Sequence, residues 1–225
     1  MNSLNRAAEC RIRIKRGDAR HRTAAAHRVF LKRSAMTIYR WLIVALWLGL
    51  TAYWAASANG VKRNLGPRAI WNEIGLRLVL GALVLLVLAV PPVRHLFGRL
   101  QADQTRSALL GTIGVVVCAA GVGVMVAARI HFGRNWGMPT SRKENPELIT
   151  SGPYAYVRHP IYCGIMLAML GMTIGASVFW AVPLLLFSPY FIHAARREED
   201  FMIMQFPEQY PAYKRRTPML LPFVP

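Results

Sequence analysis

Two short stretches in this chain hold side chains able to do chemistry. The first is Ser151-Gly152-Pro153-Tyr154-Ala155-Tyr156-Val157-Arg158-His159-Pro160-Ile161-Tyr162-Cys163-Gly164, a turn-forming Gly-Pro, four aromatic rings counting His159, and an Arg-His pair, all at the entrance to an apolar run. A residue before proline is pushed out of the α region, and proline suits the first turn of a helix, so His159 is expected at a helix mouth. The free N–H groups and positive dipole end of such a mouth attract a carboxylate or phosphate. The second stretch is Arg196-Arg197-Glu198-Glu199-Asp200, three of the chain's ten acids in a row at the end of another apolar run. A helix C-terminus disfavours acids, so either the helix continues to about Gln205 or the acids face a cationic ligand. Taken singly, an Arg-His pair can merely anchor to headgroups and an acidic run is usually a solvated face. Two such constellations on one face favour a ligand site.

The elements that position them are apolar. Hydrophobic residues make up 54% of the 225 residues, above the roughly 45–50% of soluble domains, and they fall in blocks. Five blocks are predicted as helices: Ile38–Ala58, Ile74–Val90, Ala108–Ala128, Ile161–Ala176 and Val178–Ala194. The first carries Tyr39, Trp41, Trp47 and Trp54 where interfacial rings are expected. The third carries Gly111, Gly114, Gly121 and Gly123, which let helices approach closely. Most blocks are near the ~20 residues that cross a bilayer. The last two are shorter and share an uncharged turn, so they read as a hairpin that need not fully span, its second arm kinked by Pro183 and Pro189. A hairpin returns the chain to its starting side, bringing the polar segments 129–160 and 195–225 to one face. The fold class is therefore an all-α integral membrane protein, a five-helix bundle with a C-terminal helical hairpin and a cytoplasmic cofactor pocket.

The formal net charge of +18 would suggest nucleic acid in a soluble protein. Here the cations flank apolar blocks, where they set topology and meet anionic lipid headgroups, so membrane lipids rather than nucleic acid are the expected partners. Counted from Met36, thirteen cations lie on the side of the two polar segments against four opposite. That places the site in the cytoplasm. Residues 1–35 add ten Lys/Arg against Glu9 and Asp18 and would reverse the count to fourteen against thirteen. They read either as a basic N-terminal extension outside the fold or as sequence upstream of a start at Met36. The membrane domain is then 36–225, with a catalytic core over about 130–222. Cys10, Cys118 and Cys163 have no metal-ligand spacing, and no metal site is expected.

The run Leu148-Ile149-Thr150-Ser151-Gly152-Pro153-Tyr154-x-Tyr156-Val157-Arg158-His159-Pro160-x-Tyr162-x-Gly164, with Glu198-Glu199 and Glu208-x-Tyr210-x-x-Tyr213-x-x-Arg216-x-Pro218, resembles the isoprenylcysteine carboxyl methyltransferase family. The resemblance spans about residues 130–222, includes Asn135-Trp136, and extends more loosely to membrane phospholipid methyltransferases. It implies S-adenosyl-L-methionine bound between the loop before the hairpin and the tail after it. By position, Leu148, Ile149, Tyr154, His159, Pro160, Ile161 and Tyr162 would line the cofactor, and Glu198 would be the first of the family's glutamate pair. Arg158 and Glu199 join this cofactor-binding set. The helix mouth suits the methionine carboxylate, and a carboxylate suits the sulfonium and ammonium, with Tyr154 adding ~0.5–2 kcal/mol of cation–π attraction.

One position departs from the family. Members acting on prenylcysteine place an arginine about one turn before that glutamate, where this chain has Ala194. Arg197 is the expected replacement, so Arg197 and Glu198 form the catalytic set. Methyl transfer from a sulfonium is an in-line displacement in which positioning and water exclusion dominate. A carboxylate acceptor, with a reference pKa near ~4, needs no base. An amine acceptor would need one, with His159 or Glu199 as candidates. The expected acceptor is a lipophilic small molecule or lipidated group entering from the bilayer. Alternatives are a phospholipid N-methyltransferase, an NADPH-dependent membrane reductase of the sterol-reductase type, and a non-enzymatic scaffold or transporter subunit. His159-Pro160 and Glu198-Glu199 favour a methyl donor over NADPH.

Overall fold

The computed structural model describes residues 38–57, 91, 107–133 and 147–221. Among them the architecture is all-helical, with no strand. Helix α1 spans Ile38–Ser57, α2 Ala108–Phe132, α3 Pro160–Gly175, α4 Ala181–Gln205 and α5 Gln209–Arg216. Three segments are long and apolar enough to cross a membrane: α1, α2, and Val178–Gln205, which is α4 with the 3-10 turn before it. The protein is a membrane protein. The predicted block Ile74–Val90, residues 1–35 and Asn135-Trp136 lie outside the described residues.

Helices α2 and α3 form the centre, and glycine is the reason. A Cβ added at Gly121 would stand 2.5 Å from Ala168 N and from Gly164 O, and one at Gly164 would stand 2.7 Å from Gly121 O. Gly114 meets Gly171 and Gly175, so the two helices run antiparallel with backbones in contact. Lipid tails are as apolar as leucine, so close packing of small residues, rather than expulsion of water, holds such helices together. Gly111 receives the ring of Tyr39, whereas Gly123 faces open space and takes no part in the seam. Ile43, Leu50, Cys118, Met125, Ala168, Met172 and Ala176 make the core around this contact.

Helix α1 runs parallel to α2. At one end Thr112 Oγ1 donates to Tyr39 OH at 3.3 Å; at the other, Arg129 Nη2 donates to Ser57 O. Arg129 is 5% exposed and also donates to Gly133 O, so its charge is held among carbonyl groups at the end of α2. Trp47 and Trp54 pack against the core, while Trp41 of the predicted interfacial set is exposed.

The predicted hairpin exists, but its first arm packs more closely on α2 than on its second arm. Helix α3 has 16 residues, a length of ~24 Å and short of the ~30 Å hydrocarbon layer. Ser177 turns the chain, its Oγ accepting from Phe179 N at 3.2 Å. Pro183 falls in the first turn of α4, where a missing N–H costs nothing; Pro189 is interior. Beside it Ser188 Oγ donates to Leu184 O at 2.6 Å. The helix does not stop at Ala194 but runs to Gln205, so the three acids sit within α4 rather than at its end.

Candidate functional site

The site forms where the start of α3, the last turns of α4 and the tail meet. Gly152 lets the chain approach α2: its φ is +60°, and a side chain there would strike the His131 ring. The 3-10 turn Gly152–Ala155 follows, burying Tyr154 against Phe132 with ring centroids 5.5 Å apart. Pro160 then opens α3 at its first position, with His159 as N-cap residue. The His159 side chain does not cap the helix. It turns instead toward α4.

There His159 lies between both glutamates. Its Nε2 is 3.3 Å from Glu199 Oε1, and its Nδ1 is 3.5 Å from Glu198 Oε2. Burial opposes a charge on the ring, but hydrogen bonds to Glu198 and Glu199 outweigh it and raise the pKa above the usual histidine value. Tyr162, in the first turn of α3, donates its OH to Glu198 Oε1. Its ring stacks on His159 at 5.7 Å and on Phe191 at 5.2 Å.

Glu199 is the deeper acid, its side chain 1% exposed against 18% for Glu198. Arg158 Nε donates to Glu199 Oε1 at 2.7 Å. Lys214 Nζ lies 2.8 Å from Glu199 Oε2, an ion pair by distance that lacks hydrogen-bond alignment. Arg158 Nη1 donates to Lys214 O at 3.0 Å and also to Thr217 O. The backbone continues this seam: Arg158 N bonds Pro218 O at 2.9 Å, and His159 N bonds Met219 O at 3.1 Å. Tyr213 OH donates to Tyr154 O at 2.6 Å.

Five of the expected residues thus converge: Arg158, His159, Tyr162, Glu198 and Glu199. Tyr154 and Pro160 are buried beside them. Leu148 and Ile149 are half-buried in the irregular segment leading in. Ile161 packs against the core. Arg197 is exposed and makes no ion pair among the described residues. Phe191, Lys214, Tyr213 and Thr217 were not singled out as site residues. Phe191 had a readable signal, because it lies seven residues before Glu198 and so shares its helix face. The carbonyl groups of residues 214–219 carry no side-chain signal. Among the described residues no group of His, Cys, Asp and Glu could hold a metal ion.

The pattern of the family described as Phospholipid methyltransferase matches residues 110–209, from α2 into the start of α5. The cobalt-zinc-cadmium resistance protein CzcN of Cupriavidus metallidurans is 35% identical over 72% of this chain and 69% of its own length. The protein-S-isoprenylcysteine O-methyltransferase of Schizosaccharomyces pombe is 30% identical over 44% of each chain. A methanethiol S-methyltransferase of Crocosphaera subtropica is 36% identical over 32% of this chain and 28% of its own. The chain thus spans under half the length of the isoprenylcysteine methyltransferase it matches. The matched region contains the antiparallel α2–α3 seam, the Arg-His-Pro mouth and the glutamate pair, and on these grounds the chain belongs to the isoprenylcysteine carboxyl methyltransferase-like family of membrane methyltransferases.

Proposed function

We propose that this protein is an S-adenosyl-L-methionine-dependent methyltransferase that methylates a polar group, foremost a carboxylate, on a lipophilic acceptor. The observation that carries the reading is Glu198 brought to the mouth of α3, with His159 Nδ1 at 3.5 Å and the Tyr162 hydroxyl as its donor.

The donor set fits such a cofactor chemically. Its cationic head needs a carboxylate beside aromatic faces, and Glu198 lies among Tyr162, His159 and Phe191. Its carboxylate needs N–H donors, and the mouth of α3 has no side-chain cap. When bound, the cofactor supplies an electrophilic methyl group on a sulfonium. Glu198 and Tyr162 would bind the cationic head, His159, Pro160 and Ile161 would present the helix mouth, and Leu148, Ile149 and Tyr154 would cover the remainder. Arg158 and Glu199 belong to the same site. Catalysis then rests on orientation and exclusion of water.

The site as a whole would face the cytoplasm, within a domain running from Met36 to the C-terminus. The acceptor would arrive along α4, which leaves Leu185, Leu186, Phe187 and Tyr190 on its outer face. Calorimetry on detergent-solubilised protein tests the donor: S-adenosylmethionine and its demethylated product should bind at one site, and NADPH should not. Glu198→Gln should weaken that binding roughly tenfold to a hundredfold, as expected for a charge-assisted contact of ~1.5–3 kcal/mol. Glu208→Gln should leave it near wild type, because Glu208 is exposed beyond the end of α4. Tight NADPH binding with no response to S-adenosylmethionine would overturn the reading.

A further inference from the structure

We infer that the second glutamate of the pair, Glu199, is a positioning residue that works with Arg158 and Lys214: the three clasp the C-terminal segment over the donor site and aim His159 at Glu198. This rests on the methyl-donor reading above and assigns different work to the two adjacent acids.

The division follows from what each carboxylate touches. Glu199 Oε1 takes Arg158 Nε at 2.7 Å and faces His159 Nε2 at 3.3 Å, while Oε2 pairs with Lys214 at 2.8 Å. Oε1 is hydrogen-bonded and Oε2 is held by charge alone, and the side chain is almost fully enclosed. Glu198 is the more open acid, bonded to one hydroxyl and one ring nitrogen. A cationic ligand can therefore approach Glu198, whereas reaching Glu199 would require displacing a buried ion pair.

Arg158 extends the clasp into the tail. Its guanidinium joins Glu199 to the carbonyl groups of Lys214 and Thr217, and its backbone N–H opens the pairing with Pro218 and Met219. The fork of the guanidinium holds the carboxylate and carbonyls in fixed directions, which a lysine could not do. His159 belongs to the same frame: its backbone is held by Met219, and one ring nitrogen faces Glu199. The other nitrogen is left directed at Glu198, so the ring orientation that the donor meets is set by Glu199 and the tail.

Lys214 is the arm to test, because its side chain is 42% exposed and can be changed without opening a buried cavity. In detergent-solubilised full-length protein, Lys214→Met should speed dissociation of S-adenosylhomocysteine at least several-fold and raise amide hydrogen exchange across residues 209–220. Lys214→Arg should restore both. Glu198→Gln should weaken binding of the same probe without raising exchange in the tail. Wild-type dissociation and exchange in Lys214→Met would overturn the clasp while leaving the donor reading intact. Absence of binding to the wild type would overturn the donor reading, and the positioning role with it.

Discussion

Arg158 and Glu199 meet at 2.7 Å with side chains 8% and 1% exposed, although 41 residues separate them in sequence. Each charge was removed from water on folding, so neither is tolerable alone. Arg158→Ala should lower stability by ~3–5 kcal/mol, because Glu199 loses its best-aligned partner in a buried position. Arg158→Lys should fall between wild type and alanine, since an ammonium cannot serve Glu199, Lys214 O and Thr217 O as the guanidinium does. Thermal unfolding in one detergent reads the order. Equal stability of all three proteins would show that the pair holds nothing together.

The α2–α3 seam predicts a contrast between two glycines two residues apart. Gly121→Leu forces side-chain atoms into the Ala168 and Gly164 backbone and should cost ~1–3 kcal/mol or more. A Cβ added at Gly123 would meet nothing within 4 Å, so Gly123→Leu should be neutral or slightly stabilising, since leucine is the better helix former. Melting temperatures of the two variants decide the matter. A larger loss at Gly123 would mean that the helices meet on another face.

The glycine spacing makes a close helix contact legible in the sequence, and the apolar blocks mark the long helices. The sequence did not identify the partner: α3 lies on α2 more intimately than on α4 because Gly164, Ala168, Gly171 and Gly175 align with Gly114, Cys118 and Gly121. That match is a property of two surfaces and not of either strip alone. At the site, the Arg-His-Pro mouth and the glutamate pair were readable because proline and unpartnered charge are informative. What separates Glu198 from Glu199 was not readable. Adjacent helical residues point ~100° apart, and only the packed tail determines which of them is covered.

His159 carries a pH signature with a definite sign. Its pKa in the fold is raised above its unfolded value, because the bonds to Glu198 and Glu199 outweigh burial. The stability it contributes is therefore fully present below the unfolded value of ~6.5 and is lost as pH rises through the folded value. Wild type should be more stable than His159→Gln at mildly acidic pH, and the gap should narrow on going alkaline. Unfolding temperatures across that range provide the check, with the variant as the reference for every titration common to both proteins. A gap that widens with pH would mean the ring is held neutral.

The last prediction concerns the acceptor and rests on the geometry of α4 around Glu198. Glu199 points inward to Arg158, and Arg197 precedes Glu198 by one residue, placing it about 100° round the helix on the opposite flank. Arg197 is exposed there, two turns beyond Tyr190, which is itself 54% exposed on the outer face. The position one turn before Glu198, Ala194, is half-buried and has no charge to offer a substrate carboxylate. An acceptor sliding along the outer face of α4 would bring its polar end to Arg197 while its hydrocarbon lay against Leu186, Phe187 and Tyr190. Each buried methylene adds ~0.8 kcal/mol, so kcat/KM should rise with acceptor chain length until that face is covered. Arg197→Ala should cut turnover of a long-chain carboxylic acceptor strongly while S-adenosylmethionine affinity stays within about twofold, a change of ~0.4 kcal/mol. Parallel turnover and calorimetric assays separate the two effects. Efficient methylation of a short, water-soluble thiol or amine that ignores the substitution would mean the acceptor does not come by this face.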